Sequence, residues 1–579
     1  MDLMRGWDPE AGLWVQEGPG HCASVASLPR VHSGPEATAR LLIAAQTGRL
    51  GRLDADAVLS AVHRTQIRDP GPNFGRFYWY AEETTPADDH AVFFNGMSLA
   101  VLWHSYRSEL PRRSRDILAD ILRAMQVYAE QRAQARSFFY PNEYLGYLLC
   151  AWFPLEFFEN PAACERIVPL LREAAEYWRN RHWGWGEHLS DIYGGILLQE
   201  LSLLLLLAQR LPADVRGGFL RLLTDLVGIE ERFGDAPRVP AIRQYAFLQS
   251  PAAFHHREHV QPVPEDALAE TDPSVSGSRL FTCTAPMRRA DGGAWLPLGQ
   301  TFHELGWHDL VPPASPAAGD FAIPCVDDAA AAVHLEEGLA VGSLTRFPLM
   351  PAAEHATWGL SWQCFPVALW RSGGAWGYFQ WATLENDVRR AHPARNKYEA
   401  YLHNALTETV RPPIVGRTWA LQHERNLLVL RVMPAVVSAW QELSDRFRLV
   451  GDGLSVVSSS GNGNWVQTVV DLGGRRVALQ CVALNGAPTP AWRHEETGVT
   501  DWAVTCGKSE LAGRECLMTL WGLSLSGEVR EPPEITPCAD APPEPGGARL
   551  ECRWQWPGRS WHVRIDLRRR DAIEEVGPE

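Results

Sequence analysis

The sequence predicts an α+β multidomain protein, in which a region of helical hairpins precedes one or more antiparallel β-sandwich domains. Apolar residues recur at helical spacing from about residue 35 to about residue 250, whereas they alternate in twos after about residue 275. Turns rich in Pro, Gly, Asn and Asp separate the helical segments, and Gly-Gly, Asp-Gly and Asn-Gly turns separate the β segments. The change of period and the two kinds of turn together give the order of helices first and sheets second.

About eight helices are predicted in the first half, from GPEATARLLIAAQTGRL to PADVRGGFLRLLTDLVGIEERF. In PRRSRDILADILRAMQVYAEQRAQ a proline stands at a first-turn position, and an apolar stripe contains Ile117, Leu118, Ile121, Leu122, Met125 and Val127. Short loops between successive helices favour helical hairpins, packed pairwise or closed into a ring.

The second half contains segments such as RTWALQHERNLLVLRVMP and ARLECRWQWPGRSWHVRIDL, which are typical of strands in a sandwich of antiparallel sheets. We expect three regions: a helical catalytic domain over 1–270, a β-sheet domain over 271–450 that contributes to a cleft, and a C-terminal β-sheet region over 451–579. Ligand sites occur preferentially at such domain boundaries.

Composition disfavours several kinds of partner and cellular location. The formal net charge of −15 disfavours nucleic acid as a partner. The eleven cysteines, without a CxxC pair, favour free thiols in a reducing compartment. The N-terminus shows no signal peptide, and the longest apolar run, ILLQELSLLLLLA, is too short to span a bilayer. We therefore expect a cytoplasmic protein with no membrane partner, or a secreted one if a leader has been removed; the oligomeric state stays open.

Three clusters of polar and aromatic residues precede predicted helices. PADDHAVFFNG and SFFYPNEYLGY each allow a simple interpretation as a helix N-cap. HWGWGEHLSDIY offers seven polar or aromatic side chains where a cap needs one, which favours a functional site. The candidates in the three clusters are Asp88, Asp89, His90 and Asn95; Asn142, Glu143 and Tyr144; and His182, Trp183, Trp185, Glu187, His188, Asp191 and Tyr193.

Spacing suggests that some of these residues converge. Asn142 lies 46 residues before His188 and 51 before Tyr193, and Arg243 lies 50 after Tyr193. In an array of helical hairpins, steps of about fifty residues return the chain to the same rim. An amide helped by a guanidinium can neutralise a carboxylate, and a phenol or imidazole can then remove the neighbouring C5 proton and protonate the leaving oxygen. This chemistry is β-elimination from a uronic-acid glycoside.

The Asn at the start of a helix and the later H….YGGILLQ.L stretch, in a chain of helices followed by sheets, resemble the toroid-type polysaccharide lyases. These include the chondroitin AC/hyaluronate lyases, the heparinase II/III group and the oligoalginate lyases. The resemblance implies an N-terminal α/α toroid, an incomplete barrel of helical hairpins. It also implies that Asn142 neutralises the uronate, Tyr193 is the general acid, His188 is the base or its assistant, and Arg243 binds or stabilises the uronate.

Two departures from that family are visible. NEYLGY stands where the chondroitin AC type has Asn-Trp-Trp, and the HxHxD segment of the heparinase II/III β-domain is missing. The nearest segment to it is NKYEAYLHNALTE, in which Tyr401 and His403 are candidates to face the cleft. No cofactor or metal is predicted, because the spacing in TFHELGWHDL is not a recognised zinc signature.

The predicted substrate is an acidic polysaccharide or oligosaccharide. Trp183 and Trp185 are candidate sugar platforms, and the further substrate-binding candidates are His90, Asn95, Tyr144, Tyr245, Tyr401 and His403. Three alternatives stay open: a uronate C5-epimerase, a non-catalytic carbohydrate-binding protein, and a glycoside hydrolase on the same helical scaffold. The hydrolase would use a carboxylate pair drawn from Asp88, Asp89, Glu143, Glu187 and Asp191. The uronate, its linkage and endo or exo action are not specified by the sequence.

Overall fold

The computed structural model describes most of the chain. The described residues are 4, 6–17, 25, 27–46, 48–86, 88–158, 161–234, 236–242, 305–310, 319–349, 364–385, 388–392, 416–434, 441–462, 465–484, 491–496, 498–511, 516–526, 531–538, 549–556 and 559–576. The expected domain boundary near residue 270 and four candidate site residues lie outside them, namely Arg243, Tyr245, Tyr401 and His403.

The chain divides into two compact units. The first is mainly helical and also holds a small antiparallel sheet of β1 (Trp7–Asp8), β2 (Leu13–Glu17) and β3 (Arg30–His32). The helices are α1 (Gly34–Gln46), α2 (Ala55–Arg64), α3 (Ala91–Tyr106), α4 (Arg112–Ala133), α5 (Pro141–Phe157), α6 (Pro161–Asn180), α7 (Asp191–Leu207), α8 (Ala213–Phe233) and the short α9 (Trp307–Leu310).

Helices of two kinds alternate along this unit. Every residue of α3 from Ala91 to Leu102 and of α5 from Pro141 to Leu155 is buried, as an inner helix surrounded by protein requires. In contrast, α4 has one buried stripe and one exposed face; Val127, which was expected in the stripe, lies on the exposed face and is 47 % exposed. The inner helices α1, α3 and α5 pack on one another in order, and the outer helix α2 packs on α4. The predicted α/α toroid followed by antiparallel sheets is therefore confirmed.

Glycines let the inner helices approach closely. A Cβ atom added to Gly146 of α5 would lie 2.8 Å from the Cβ of Phe93 in α3, and one added to Gly96 would lie 2.9 Å from Met125 Sδ in α4. Such distances are shorter than side chains tolerate, so the packing of α3 depends on these two positions.

The second unit is built from antiparallel strands. They are β4 (Gly319–Pro324), β5 (Ala330–Glu336), β6 (Leu339–Leu344), β7 (Arg346–Phe347), β8 (Val367–Arg371), β9 (Ala375–Glu385), β10 (Val388–His392), β11 (Arg417–His423), β12 (Asn426–Pro434), β13 (Glu442–Val450), β14 (Leu454–Asn462), β15 (Trp465–Leu472), β16 (Arg476–Leu484), β17 (Ala491–Glu496), β18 (Val499–Gly507), β19 (Cys516–Ser524), β20 (Glu534–Pro537), β21 (Arg549–Trp556), β22 (Arg559–Asp566) and β23 (Ile573–Glu575). One short helix, α10 (Lys508–Leu511), follows β18.

These strands form three stacked sheets. The nine-stranded sheet has the order β17-β18-β13-β9-β8-β6-β5-β4, with β10 beside β9. The seven-stranded sheet has the order β14-β15-β16-β19-β12-β11-β7, and the four-stranded sheet has the order β20-β21-β22-β23. One apolar core joins the nine- and seven-stranded sheets, and a second core joins the seven- and four-stranded sheets. The seven-stranded sheet is therefore the middle layer.

Burial along the strands reflects this layering. In β16 and β19 every residue after the first is buried, on both faces of the middle sheet. Strand β5 of the nine-stranded sheet alternates between buried and partly exposed residues. A strand between two cores loses the alternation that marks a strand with one wet face.

Position 450, where a boundary between two β regions was predicted, lies between strands of two different sheets. It falls between β13, which belongs to the nine-stranded sheet, and β14, which belongs to the seven-stranded sheet. Later strands β17 and β18 return to the nine-stranded sheet, so both sheets contain chain from each side of that position. The chain passes between the two sheets after β13, after β16 and after β18.

Among the helices of the described residues, none is both long and apolar enough to cross a lipid bilayer. The nine described cysteines are all free thiols, and all but Cys516 are buried.

Candidate active site at the rim of the toroid

The chain segments before α3, α5 and α7 meet at one rim of the helical unit. The backbone N–H of Asn142 donates a hydrogen bond of 2.9 Å to Glu187 Oε2, which joins the start of α5 to the segment before α7. Tyr140 OH lies 3.1 Å from His90 Nε2, and its ring centroid lies 4.5 Å from that of Trp185. The three clusters identified in the sequence are therefore contiguous in space.

Asn142 lies in the first turn of α5 and is held there by its backbone. The residue is 1 % exposed, and its Oδ1 is buried without a hydrogen-bond partner among the described residues. The carboxylate of Glu187 accepts one of the free N–H groups at the helix start, as a capping group does. A buried amide oxygen without a partner is costly, which makes it a group that a ligand donor can satisfy.

A second buried carboxyl lies in α7. Glu200 is fully buried, and neither of its oxygens has a hydrogen-bond partner among the described residues. Burial raises the pKa of Glu200 well above its ordinary value, and the charge of Glu187 raises it further. Both effects favour the protonated form of Glu200, while the carboxylate of Glu187 serves the start of α5.

His90 is positioned by a carboxylate on one side and faces a phenol on the other. Its Nδ1 lies 2.6 Å from Asp88 Oδ1, and the same oxygen accepts the backbone N–H of His90 at 2.8 Å. Its Nε2 faces Tyr140 OH at 3.1 Å and Glu143 Oε2 at 3.7 Å. With the proton assigned to Nδ1 by the Asp88 contact, Nε2 is left as an acceptor toward Tyr140. The Asp88–His90–Tyr140 chain can thus take a proton from the phenol.

Two further carboxyl groups at this rim have different environments. Burial raises the pKa of Glu143, although the nearby His90 and Arg132 oppose the shift. Asp89 instead pairs with Arg76, and with Arg132 at 3.2 Å. The two carboxyl groups therefore differ in burial and in their ion pairs.

Tyr147 completes this part of the rim. Its OH donates to Asp89 Oδ2 at 3.2 Å, and the Arg132 guanidinium lies 5.5 Å from its ring centroid. Burial raises the pKa of Tyr147 well above its ordinary value, and the charge of Glu143 adds to this. The phenol therefore stays protonated and serves as a donor to Asp89.

The predicted acid and base also lie near this rim. His188 is fully buried in the single 3₁₀ turn Glu187–Leu189, and Tyr193 is buried in the first turn of α7. His188 is the next residue after Glu187, whose carboxylate accepts the backbone N–H of Asn142. His188 is therefore adjacent in sequence to a residue that contacts Asn142.

Trp183 and Trp185 have packing partners inside the toroid. The ring of Trp183 stacks on Trp178 with centroids 6.2 Å apart, and Trp185 lies against Tyr140. Both tryptophans are buried. Trp183 and the preceding His182 have positive φ angles of 64° and 45°, an uncommon backbone conformation for residues other than glycine.

Asn95 and Tyr144 also have internal partners. Asn95 is fully buried and donates to Ala91 O at 2.8 Å within α3. Tyr144 donates from its OH to Ala133 O at 2.8 Å, which links α5 to the end of α4. In this conformation the polar groups of both residues serve the packing of the helices.

Several rim residues were not identified from the sequence: Arg76, Arg132, Tyr140 and Tyr147. Tyr147 follows Glu143 by four residues, so helical periodicity places both on one face of α5 and was the available signal. Arg76 and Arg132 reach Asp89 from other parts of the chain, and their sequence positions carry no mark of that contact.

Neither a protein-family model nor a curated protein matches the sequence. Among solved structures, the chain is similar to a heparinase III with methylated lysines, at 10 % identity and a TM-score of 0.33, covering 93 % of this chain and 83 % of that chain. The heparan sulfate lyase HepC of Pedobacter heparinus is similar at 12 % identity and a TM-score of 0.30, covering 93 % and 97 %. A mutant of that lyase is similar at 11 % identity and a TM-score of 0.31, covering 92 % and 81 %.

Proposed function

We propose that the protein is a polysaccharide or oligosaccharide lyase that cleaves uronic-acid-containing glycans by β-elimination. The observation that carries this proposal is the buried Asn142 amide beside titratable groups at one rim: its Nδ2 is the donor proposed for the uronate carboxylate, and its Oδ1, which has no partner among the described residues, can accept from a sugar hydroxyl. It lies at a rim that also holds His90, Tyr140 and the start of α7. An amide, phenols and imidazoles at one rim supply the groups that the elimination requires.

In the proposed reaction, Asn142 binds the uronate carboxylate and lowers its charge, so that the C5 proton becomes more acidic. His188 removes that proton or assists its removal, and Tyr193 protonates the departing glycosidic oxygen. Arg243, outside the described residues, is proposed to bind the uronate. The C5–H and C4–O bonds break, a C4–C5 double bond forms, and no water is consumed.

The Asp88–His90–Tyr140 chain provides a second proton acceptor at the same rim. Asp88 favours the tautomer in which His90 Nε2 accepts from Tyr140 OH. A phenol that transfers its proton to an imidazole can remove a proton from substrate. We propose that this chain supports the proton transfers that Tyr193 and His188 carry out.

A glycoside hydrolase is the second candidate, favoured by one observation. Glu143 has a raised pKa because of burial, whereas Asp89 is paired with two arginines. A glycosidase uses two carboxyl groups in different roles, and here Glu143 would be the general acid and Asp89 the second carboxyl.

The two functions give different products. We would incubate the protein with a panel of acidic polysaccharides that differ in uronate and linkage, and record near-ultraviolet absorbance and reducing ends together. A lyase produces both signals, because each cleavage leaves an unsaturated uronate. New reducing ends without absorbance would replace the lyase proposal with the hydrolase. A change in uronate configuration without cleavage would indicate the epimerase.

A further inference from the structure

A cavity of about 630 Å³ lies at one end of the middle sheet of the β unit. Its lining comes from the β11–β12 turn, the β15–β16 turn, the residues that follow β19, and the first residue of β22. Asn426 pairs with Ser524 and Ala478 pairs with Ser524 across the sheet, so these chain segments meet at the same edge. The cavity volume falls within the range of roughly 300–1,000 Å³ that is usual for small-molecule sites.

The lining is cationic in a chain that is acidic as a whole. Four guanidinium groups and one imidazole stand against a single carboxylate, that of Glu424; the cationic residues are His423, Arg425, Arg475, Arg476 and Arg559. The chain carries a formal net charge of −15. A local concentration of positive charge on an acidic protein is typical of a site for an anion.

Two of the four arginines are uncommitted. Among the described residues, Arg425 and Arg476 make no side-chain ion pair, whereas Arg475 lies 3.4 Å from Glu336. The Arg475 side chain is 52 % exposed, so solvent weakens its pair with Glu336. The donors of Arg425 and Arg476 are therefore available to a ligand.

Arg559 is held in place by its neighbours and keeps one N–H donor without an acceptor among the described residues. Its Nη2 donates to the two carboxylate oxygens of Glu575 at 2.7 and 2.8 Å, and its guanidinium lies 4.5 Å from the ring centroid of Trp561. Its Nε is buried and has no acceptor among the described residues. A preorganised guanidinium with an unused N–H loses little entropy when it binds an oxyanion.

The turn that carries Arg475 and Arg476 is itself held rigidly. Gly473 and Gly474 both have positive φ angles, and Asp471 accepts the N–H of Gly474. Arg371 donates to Gly473 O at 2.6 Å from the neighbouring sheet. The cationic turn is thus presented by a fixed backbone rather than by a long free loop.

We propose that this cavity binds the carboxylate or sulfate group of an anionic sugar, as an ancillary glycan-binding site separate from the catalytic rim. The identity of the ligand as a sugar rests on the proposed function. Guanidinium groups pair with planar carboxylates and with sulfate through parallel N–H donors, and binding at such an open site weakens as salt screens the charges.

The test uses the full chain and a sulfated uronate disaccharide as the probe, with hydrogen exchange followed at the β11–β12 and β15–β16 turns. The variant is Arg425→Ala/Arg476→Ala, and the matched control is Arg553→Ala, which removes an exposed arginine of β21 outside the cavity. In the wild type and the control we expect the probe to slow exchange at both turns. In the double variant we expect affinity at this site to fall about tenfold or more.

Unchanged exchange at both turns with saturating probe, or protection that survives in the double variant, would overturn the assignment. Equal protection by inorganic sulfate alone would overturn the sugar part of it. Elimination activity is measured in parallel on the same samples. Turnover without protection of the turns removes only the ancillary site, and protection without turnover on any uronate removes only the lyase proposal.

Discussion

Asn142 is held at the rim through its backbone, which leaves its side chain free for another task. Glu187 accepts the backbone N–H, so the position of the residue does not depend on the amide. The amide oxygen is buried and has no partner among the described residues. The two parts of one residue can therefore be separated by mutation.

We expect Asn142→Ala to lower uronate elimination by about 100-fold or more, because the amide proposed to bind the uronate carboxylate is lost. The melting temperature should change little, since the bond to Glu187 remains and alanine is well tolerated in a helix. The measurement is the initial rate of near-ultraviolet absorbance beside a thermal melt. Loss of the folded state would mean that the amide serves the structure instead.

Tyr193→Phe should also reduce elimination by about 100-fold or more, because the leaving oxygen loses its proton donor. The control is Tyr106→Phe, which changes a tyrosine at the opposite end of an inner helix, the last residue of α3. Rates are compared on the same uronate substrate. Equal rates for Tyr193→Phe and wild type would remove the assignment of the general acid.

At this scale the sequence was informative where the residues were neighbours along the chain. Asn142 and the HWGWGEHLSDIY segment were identified as candidates, and the structure joins them through Glu187. Arg132 and Arg76 were not identified, because their roles come from ion pairs with Asp89 that only the folded chain creates. Residue type and spacing predict what a side chain can do, but tertiary contacts select among several such residues.

The helices could be predicted well as elements. ILLQELSLLLLLA, too short for a membrane, lies in the inner helix α7, where burial on all sides explains its apolar composition. The spacing of about fifty residues between Asn142 and Tyr193 corresponds to one helical hairpin, since both lie at the starts of inner helices. Helical periodicity therefore predicted the helices and the approximate spacing between the starts of successive inner helices.

Gly96→Ala should destabilise the protein by about 1–3 kcal/mol through overpacking. The new Cβ would lie 2.9 Å from Met125 Sδ, and closer still to Cys150 Sγ, where α3 meets α4 and α5. The matched control is Gly228→Ala within α8, where no atom lies within 4 Å of the new Cβ. There, higher helix propensity should stabilise by about 0.5–1 kcal/mol. Chemical denaturation measures both, and equal effects would contradict the packing argument.

For the whole molecule, the order of helices before sheets was predictable and the assignment of strands to sheets was not. Alternation of apolar and polar residues identifies a strand but does not predict which strand it pairs with. Thus β13 and β14 are consecutive in the chain, yet they belong to different sheets. Position 450 lies between these two strands, and both sheets contain chain from each side of it.

Glu200 links the stability of the fold to pH. Burial holds its folded-state pKa well above the ordinary 4.5, so the folded state retains a proton that the unfolded chain releases. The resulting stability is present below pH 4.5 and is lost as pH rises from there toward the folded-state pKa. This one residue therefore makes the free energy of unfolding decrease as pH rises.

Glu200→Gln removes that titration. Relative to wild type, the free energy of unfolding of the variant should rise by about 1.4 kcal/mol per pH unit above pH 4.5, and the difference should be constant below it. Denaturation at a series of pH values measures this, with Glu109→Gln, an exposed residue after α3, as the control. A pH-independent difference between Glu200→Gln and wild type would show that the carboxyl is ionised in the folded protein.

Because the seven-stranded sheet is the middle layer, its position limits which substitutions its strands can tolerate. Strands β16 and β19 are buried along almost their full length, whereas β5 and β21 alternate with more accessible positions. A saturation scan scored for folded protein should find lysine accepted at every second position of β21 and β5. In β16 and β19 it should be accepted almost nowhere, because neither side of these strands borders water. The strands whose burial alternates least are thus the strands that tolerate the fewest substitutions.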